Sequence, residues 1–252
     1  MKNNQFTCFI FLILLAGCTS QPGTKNDAAN AGKQAVSDTA KKSIADLATI
    51  ISKREVPVLC YHHIREFRGG ESETMKSYSV TPAAFAEQMK ALSDSGFHTI
   101  LPVELYEYLV HGAELPAKPV MLTFDDTDEE QYTIGAKEMN KYGFKGVYFI
   151  MTVSINRPRY MSREQIKNLS DSGHDIEAHT WDHHMVTKYA GTDWDTQLVK
   201  PKKQLEAITG KPIKYFAYPF GLWNQAAIPE LKTRDYELAF ILSTKRDSTE
   251  PL

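Results

Sequence analysis

Cysteine is scarce in this chain, and so is any excess of charge of one sign. Only Cys8, Cys18 and Cys60 occur in 252 residues, too few for a disulfide framework to hold the fold. The 29 Lys and Arg are balanced by 31 Asp and Glu, a formal net charge of -2. That balance excludes the broad electropositive surface that nucleic acid phosphates require. No internal repeat is found, which excludes an array of stacked repeated units. What is present is the composition of a soluble globular protein, 42% hydrophobic and 24% charged, long enough to bury a full core. No feature points to a protein partner.

The apolar run Phe6 to Ala16, preceded by Lys2, is too short for a membrane-spanning helix and has the form of a secretory signal. It ends in Leu15-Ala16-Gly17-Cys18, which resembles a bacterial lipobox, where the signal (residues 1–17) is cleaved and Cys18 is acylated. An ordinary signal peptide ending near a cysteine is the alternative. The expectation is export, with anchoring to the cell envelope through the N-terminal lipid, at the periplasmic face or outer membrane. Cys8 then leaves with the signal and Cys18 carries lipid, so Cys60 has no intramolecular partner. Within the apolar run Val56 to Tyr61, Cys60 reads as a buried, inert thiol. Residues 18–45 have almost no large apolar side chains and read as a flexible tether. The folded domain is expected over 46–252, with a short docking helix from about Ile44; the stop soon after the last predicted strand suggests a missing C-terminal element.

Beyond Glu55, β-type runs alternate with segments of helical period, the pattern of parallel strands joined by helical crossovers. Strands are expected at Val56–Tyr61, His98–Ile100, Val120–Phe124, Gly146–Ile150, Asp175–Ala178, Lys214–Tyr218 and Glu237–Leu242. A helix with a Thr81 cap and Pro82 at its first position carries apolar Phe85, Met89 and Leu92 and stops at Gly96. Ser162 to Leu169 repeats that grammar and stops at Gly173. Seven strands with interleaved helices fit an α/β barrel, distorted (β/α), better than an open sheet, although alternation alone does not decide.

Three clusters fall at strand ends, where parallel α/β proteins build their sites. In the first, the strand Val120 to Phe124 runs into Asp125-Asp126. Adjacent carboxylates repel, and a cation offsets the repulsion. The following Asp128, Glu129 and Glu130 leave open an acidic helix cap instead. The second is Asp175 to His184, with three histidines within six residues. If the segment makes a helical turn, His179 and His183 share one side by their i, i+4 spacing; His184 remains a rival for His183. Two histidines and a carboxylate leave coordination positions open, as in catalytic metal sites, and make hydrolysis of an amide or ester the natural reaction. The third, Phe216 to Trp223, offers aromatics for stacking on sugar faces and a backbone N–H near Phe220 for an oxyanion, or else a Pro-Gly turn closing a strand.

Together, Thr123-Phe124-Asp125-Asp126, His179-Thr180-Trp181-Asp182-His183 and Tyr218-Pro219-Phe220-Gly221 resemble the polysaccharide deacetylase family of carbohydrate esterases, from roughly Glu55 onward. The resemblance implies a distorted (β/α) barrel and hydrolysis of N-acetyl groups on a GlcNAc-containing polysaccharide. It implies Asp125 as the general base and Asp126, His179 and His183 as ligands of a divalent metal, usually zinc, with cobalt or nickel accepted. Tyr218, Pro219, Phe220 and Trp181 are the expected substrate-binding residues. Two features depart from the common pattern: Ala217 replaces an arginine, and no late histidine supplies the general acid. The opening Val56 to Ile64 resembles the exported poly-N-acetylglucosamine deacetylases, circularly permuted so that the acid histidine comes first; His62 takes that role by this resemblance. The same departures motivate the alternative of a noncatalytic glycan-binding lipoprotein on the same barrel. Thr127 stands where Gly or Ser is common.

Overall fold

The computed structural model describes residues 43–252. The predicted signal, Cys18 and nearly all of the tether lie outside them.

All seven expected strands form, and all belong to one parallel sheet. They are β1 (Val58–Tyr61), β4 (His98–Thr99), β5 (Pro119–Phe124), β6 (Val147–Ile150), β7 (Asp175–Ala178), β8 (Tyr215–Ala217) and β9 (Leu238–Phe240). The hydrogen-bonded path runs β1-β5-β6-β7-β8-β9, with β4 joined to the start of β5 through His98 and Thr99. A second, two-stranded parallel pair joins β2 (His63–Ile64) to β3 (Ser79–Val80). The helices between them are α1 (Leu47–Ser52), α2 (Glu73–Ser77), α3 (Pro82–Asp94), α4 (Pro102–His111), α5 (Lys137–Asn140), α6 (Arg163–Asp171), α7 (Lys200–Thr209) and α8 (Ala227–Lys232). Their starts follow from side-chain capping. The Thr81 hydroxyl accepts from Ala84 N ahead of α3, and Ser162 with Gln165 forms a reciprocal capping box ahead of α6. Among the described residues, no helix is long and apolar enough to cross a membrane.

Period-two alternation divides the strand residues between two apolar clusters. Val120, Leu122 and Phe124 of β5, Tyr148 and Ile150 of β6 and Phe216 of β8 join the cluster that holds Phe85 and Met89 of α3, Ile166 and Leu169 of α6 and Leu205 and Ile208 of α7. That face is covered by α3, α6 and α7. Met121, Val147, Phe149, Tyr215, Ala217 and Leu238 form the other cluster, with Ile50 of α1 and Leu109 and Val110 of α4, on the inner face that lines the cavity. Continuing the inner parity of β5 from Met121 through Thr123 reaches Asp125. On β1, Cys60 stands opposite Thr123, so Cys60 and His62 fall on the same face.

Candidate active site and metal centre

Alternation thus carries the Asp125 carboxyl into the sheet's concave side, where the residue is only 6% exposed. Its Oδ1 has no hydrogen-bond partner and its Oδ2 lies 3.6 Å from Cys60 Sγ. Burial raises its pKa above the ordinary carboxylate value, against the opposing pull of His179 and His62.

The chain then turns sharply. Asp126 and Thr127 have φ of 75° and 74°, consecutive left-handed residues of which one is β-branched. The turn is pinned from outside: the Thr127 hydroxyl accepts from Met151 N at 2.8 Å, and Thr127 O accepts from Met161 N at 3.0 Å. This swings Asp126 toward the loop after β7.

That loop begins at His179, which is 1% exposed. Its Nδ1 donates to Ala217 O at 2.8 Å, so the neutral ring has its lone pair on Nε2. Nε2 lies 3.4 Å from Asp126 Oδ1. His183 arrives by a route the spacing did not foresee: no helical turn forms. Thr180 and His183 both take left-handed φ, of 66° and 65°, and His183 N donates to Thr180 Oγ1 at 2.9 Å. This tight turn puts His183 Nε2 also 3.4 Å from Asp126 Oδ1, with the two rings 4.8 Å apart. His184 is exposed and stacks on Tyr189 instead.

These residues fit a divalent cation. One oxygen and two ring nitrogens lie within 4.8 Å of one another, yet Asp126 Oδ1 makes no hydrogen bond although it is buried. A carboxylate oxygen facing the lone pair that the Ala217 bond leaves on His179 is unfavourable unless positive charge lies between them. The electrostatics of Asp126 and His183 agree in direction. Burial works against ionisation of Asp126, but His179 and His183 hold its pKa down at about 2. Burial, reinforced by His179, pushes His183 down to about 4, favouring the neutral form that ligates metal. Burial also opposes charge on His179, but Asp126 and Asp125 outweigh it and raise the pKa.

His62 follows β1, its ring edge-on to Tyr78 at 5.0 Å, and its ligating atom groups with those of Cys60 and Asp125. Cys60 matches the expected inert thiol at its sulfur but not in the exposure of the whole residue. The residue is exposed, while its sulfur is packed against Asp125; burial of the sulfur and the Asp125 charge together push the thiol pKa up. His63 turns elsewhere: its Nδ1 lies 3.2 Å from Asp128 Oδ2 and 3.1 Å from Glu130 Oε1. The acidic run after Asp126 therefore holds His63 as an ion-paired clasp.

In the third motif, Tyr218 and Pro219 are buried, and Tyr218 lines a cavity of about 850 Å³ together with Cys60, Asp125 and Trp223. Phe220 is 47% exposed, in a left-handed conformation, with its ring 4.4 Å from that of His183. Trp181 carries the Lys200 ammonium 3.8 Å from its ring centroid. Gln131 gave no signal in the sequence. It is fully buried, and its Nε2 donates to both His62 O and Asp125 O, tying the ends of β1 and β5 together.

The profile of the polysaccharide deacetylase family matches residues 112–239, just over half of the chain. The chain belongs to this family. The match takes in Asp125, Asp126, His179, His183 and the third motif, and leaves β1 with His62 outside it. A poly-beta-1,6-N-acetyl-D-glucosamine N-deacetylase of Staphylococcus aureus (strain MRSA252) is 26% identical over 209 residues, covering 74% of this chain and 72% of the relative. The structure of IcaB from Ammonifex degensii is similar with a TM-score of 0.66 at 27% identity, over 74% of this chain and 83% of that one. The Streptococcus pyogenes deacetylase PplD, solved with acetate, shares the fold at 23% identity and a TM-score of 0.66, over 73% and 81% of the two chains. The resemblance is thus to the poly-N-acetylglucosamine deacetylase branch, and the α/β barrel of parallel strands is the family's own.

Proposed function

We propose that this deacetylase removes N-acetyl groups from a GlcNAc-containing polysaccharide outside the cytoplasm, with a divalent cation held by Asp126, His179 and His183. The observation that carries the reading is Asp126 Oδ1, buried without a hydrogen bond and faced at 3.4 Å by two imidazole nitrogens, one residue from the buried carboxyl of Asp125. Zinc suits this nitrogen and oxygen set, and cobalt or nickel would be accepted by it. When bound, such a cation polarises the acetyl carbonyl and lowers the pKa of water.

The chain's own residues then divide the proton traffic. Asp125 takes a proton from the attacking water; its desolvated carboxyl, with a pKa above the ordinary carboxylate value, is a better proton acceptor than an exposed aspartate. His62 donates a proton to the sugar nitrogen as the C–N bond breaks, so that acetate and a free amine result. Ala217 O fixes the His179 tautomer from behind. The exposed Phe220 ring supplies a stacking face for a sugar beside the ligands, Tyr218 and Pro219 shape the wall beneath it, and Trp181 is the outer contact.

The similarity to the Staphylococcus aureus enzyme favours poly-β-1,6-linked N-acetylglucosamine over peptidoglycan or another acetylated glycan. Acetate release should be measured on that polymer and on acetylated chitooligosaccharides, for the wild type and Asp125→Asn. The reading expects the variant to keep its metal and lose turnover by ~10² or more, the scale of general acid–base catalysis; near-normal turnover would defeat the mechanism. Anchoring through acylated Cys18 at the cell envelope is part of the same proposal. Cys18→Ala should move the protein to the soluble fraction, and unchanged membrane association would rule that anchor out.

A further inference from the structure

We propose that Cys60, His62 and Asp125 form a second cation position, one that inhibits the enzyme when a thiophilic divalent metal fills it. All three side chains leave the ends of β1 and β5 on the inner face of the sheet. Cys60 Sγ lies 3.6 Å from Asp125 Oδ2 and 3.9 Å from His62 Nδ1, and one ligating atom from each residue lies within 4.8 Å of the others. Thiolate, imidazole and carboxylate are the three donor types that bind zinc-like ions. A second observation points the same way: Asp125 Oδ1 is buried in this pocket with no hydrogen-bond partner, an acceptor still open beside the sulfur. Cys60 and Asp125 both line the cavity of about 850 Å³, and an ion reaches them from it.

Binding there replaces the S–H bond of Cys60 with a sulfur–metal bond, and the thiol proton leaves to solvent. The ion takes up the carboxylate of the proposed base and the ring of the proposed acid at once. A cation already held by Asp126, the adjacent residue, repels a second one, so this position fills only after the first. The inhibitory effect rests on the proposed function; the binding does not.

Cobalt titration separates the two, because only a sulfur ligand gives an intense near-ultraviolet thiolate-to-cobalt charge-transfer band. The Asp126 set and the His63, Asp128 and Glu130 clasp contain no sulfur. In the full chain the first equivalent should give weak visible bands and full acetate release. Further equivalents should raise the near-ultraviolet band as the rate falls ~10-fold or more. Cys60→Ala and Cys60→Ser should bind the first equivalent, show no such band and keep their own one-equivalent rate in excess cobalt. Cys8 and Cys18 are present in every arm, so the difference reports Cys60. Absence of the band at several equivalents, or its survival in both variants, overturns the inference. Loss of the visible bands and of all turnover at the first equivalent, with the Cys60-dependent band intact, overturns the proposed function instead.

Discussion

Thr127 offers a quantitative test of how the site is built, because two opposing effects meet in one residue. Its φ of 74° costs a β-branched side chain about 1–2 kcal/mol relative to a relaxed conformation. Its hydroxyl accepts from Met151 N at 2.8 Å, and losing that acceptor leaves a partly buried N–H unpaired, a cost of about 1–3 kcal/mol. Thr127→Ala keeps the strain and loses the bond, so it should destabilise by about 2 kcal/mol. Thr127→Gly relieves the strain but adds about 0.5–1 kcal/mol of backbone entropy to the unfolded chain, for a net loss of about 1 kcal/mol. Thr127→Ser keeps the hydroxyl and should stay within about 1 kcal/mol of the wild type, the worth of one buried methyl group. In thermal unfolding the order should be wild type and Ser, then Gly, then Ala, with steps of roughly 2–4 °C per kcal/mol for a domain of this size. Because Asp126 sits on the same turn, Gly and Ala should also weaken metal binding ~10-fold in chelator competition, as loss of an outer supporting contact does. An Ala variant as stable as the wild type, or a Gly variant more stable than it, would refute the claim that the Met151 bond holds this turn against its strain.

Removing any one ligand should do more. Asp126→Ala and His179→Ala should each lower metal affinity by at least ~10², read by calorimetry, since even outer-shell losses reach that scale. Gln131→Leu deletes the bridge between His62 O and Asp125 O, and it should destabilise by about 1–3 kcal/mol and lower kcat more than it raises KM. Glu177 tests the electrostatics of the core. It is buried where it accepts from Lys214 N and Tyr215 N, and burial, reinforced by Asp175, raises its pKa well above 4.5. The folded state therefore holds this proton more tightly than the unfolded chain. Its stabilising contribution is complete below pH 4.5 and is lost as pH rises through the raised value. Glu177→Gln should flatten the fall of Tm above pH 4.5, and an unchanged slope would assign that fall to other groups.

The seven strands of the sheet were legible because each falls in a short β-type run between segments of helical period, and parallel pairing followed from the helices between them. The pair β2 and β3 was not, since His63-Ile64 follows β1 after a single residue and reads as its continuation, and Ser79-Val80 has no β-type run around it. Asp126 and His179 stood out as chemistry at strand ends. His183 was singled out with them by spacing, but for a helical turn that does not exist; left-handed Thr180 and His183 do the work, and nothing in a Thr or His codes for that conformation. Gln131 was invisible because a lone glutamine after an acidic run has no pattern, although its two bonds join the segments bearing Asp125 and His62. Cys60 was legible as an inert thiol with its sulfur packed away, but not as an exposed residue, because an apolar run predicts burial whereas β1 ends the sheet path. His63 and the acids after Asp126 became partners only through the fold, across 65 and 67 residues of sequence.

In the proposed function, turnover depends on a cation held between Asp126, His179 and His183. The most direct test strips the purified protein with a chelator, measures bound metal by elemental analysis, and follows acetate release from poly-β-1,6-N-acetylglucosamine as zinc or cobalt is returned. The stripped protein should release no acetate and should recover to saturation at one equivalent, with no recovery in His179→Ala at that metal concentration. Full release from metal-free protein, or recovery in His179→Ala equal to the wild type, would contradict that dependence.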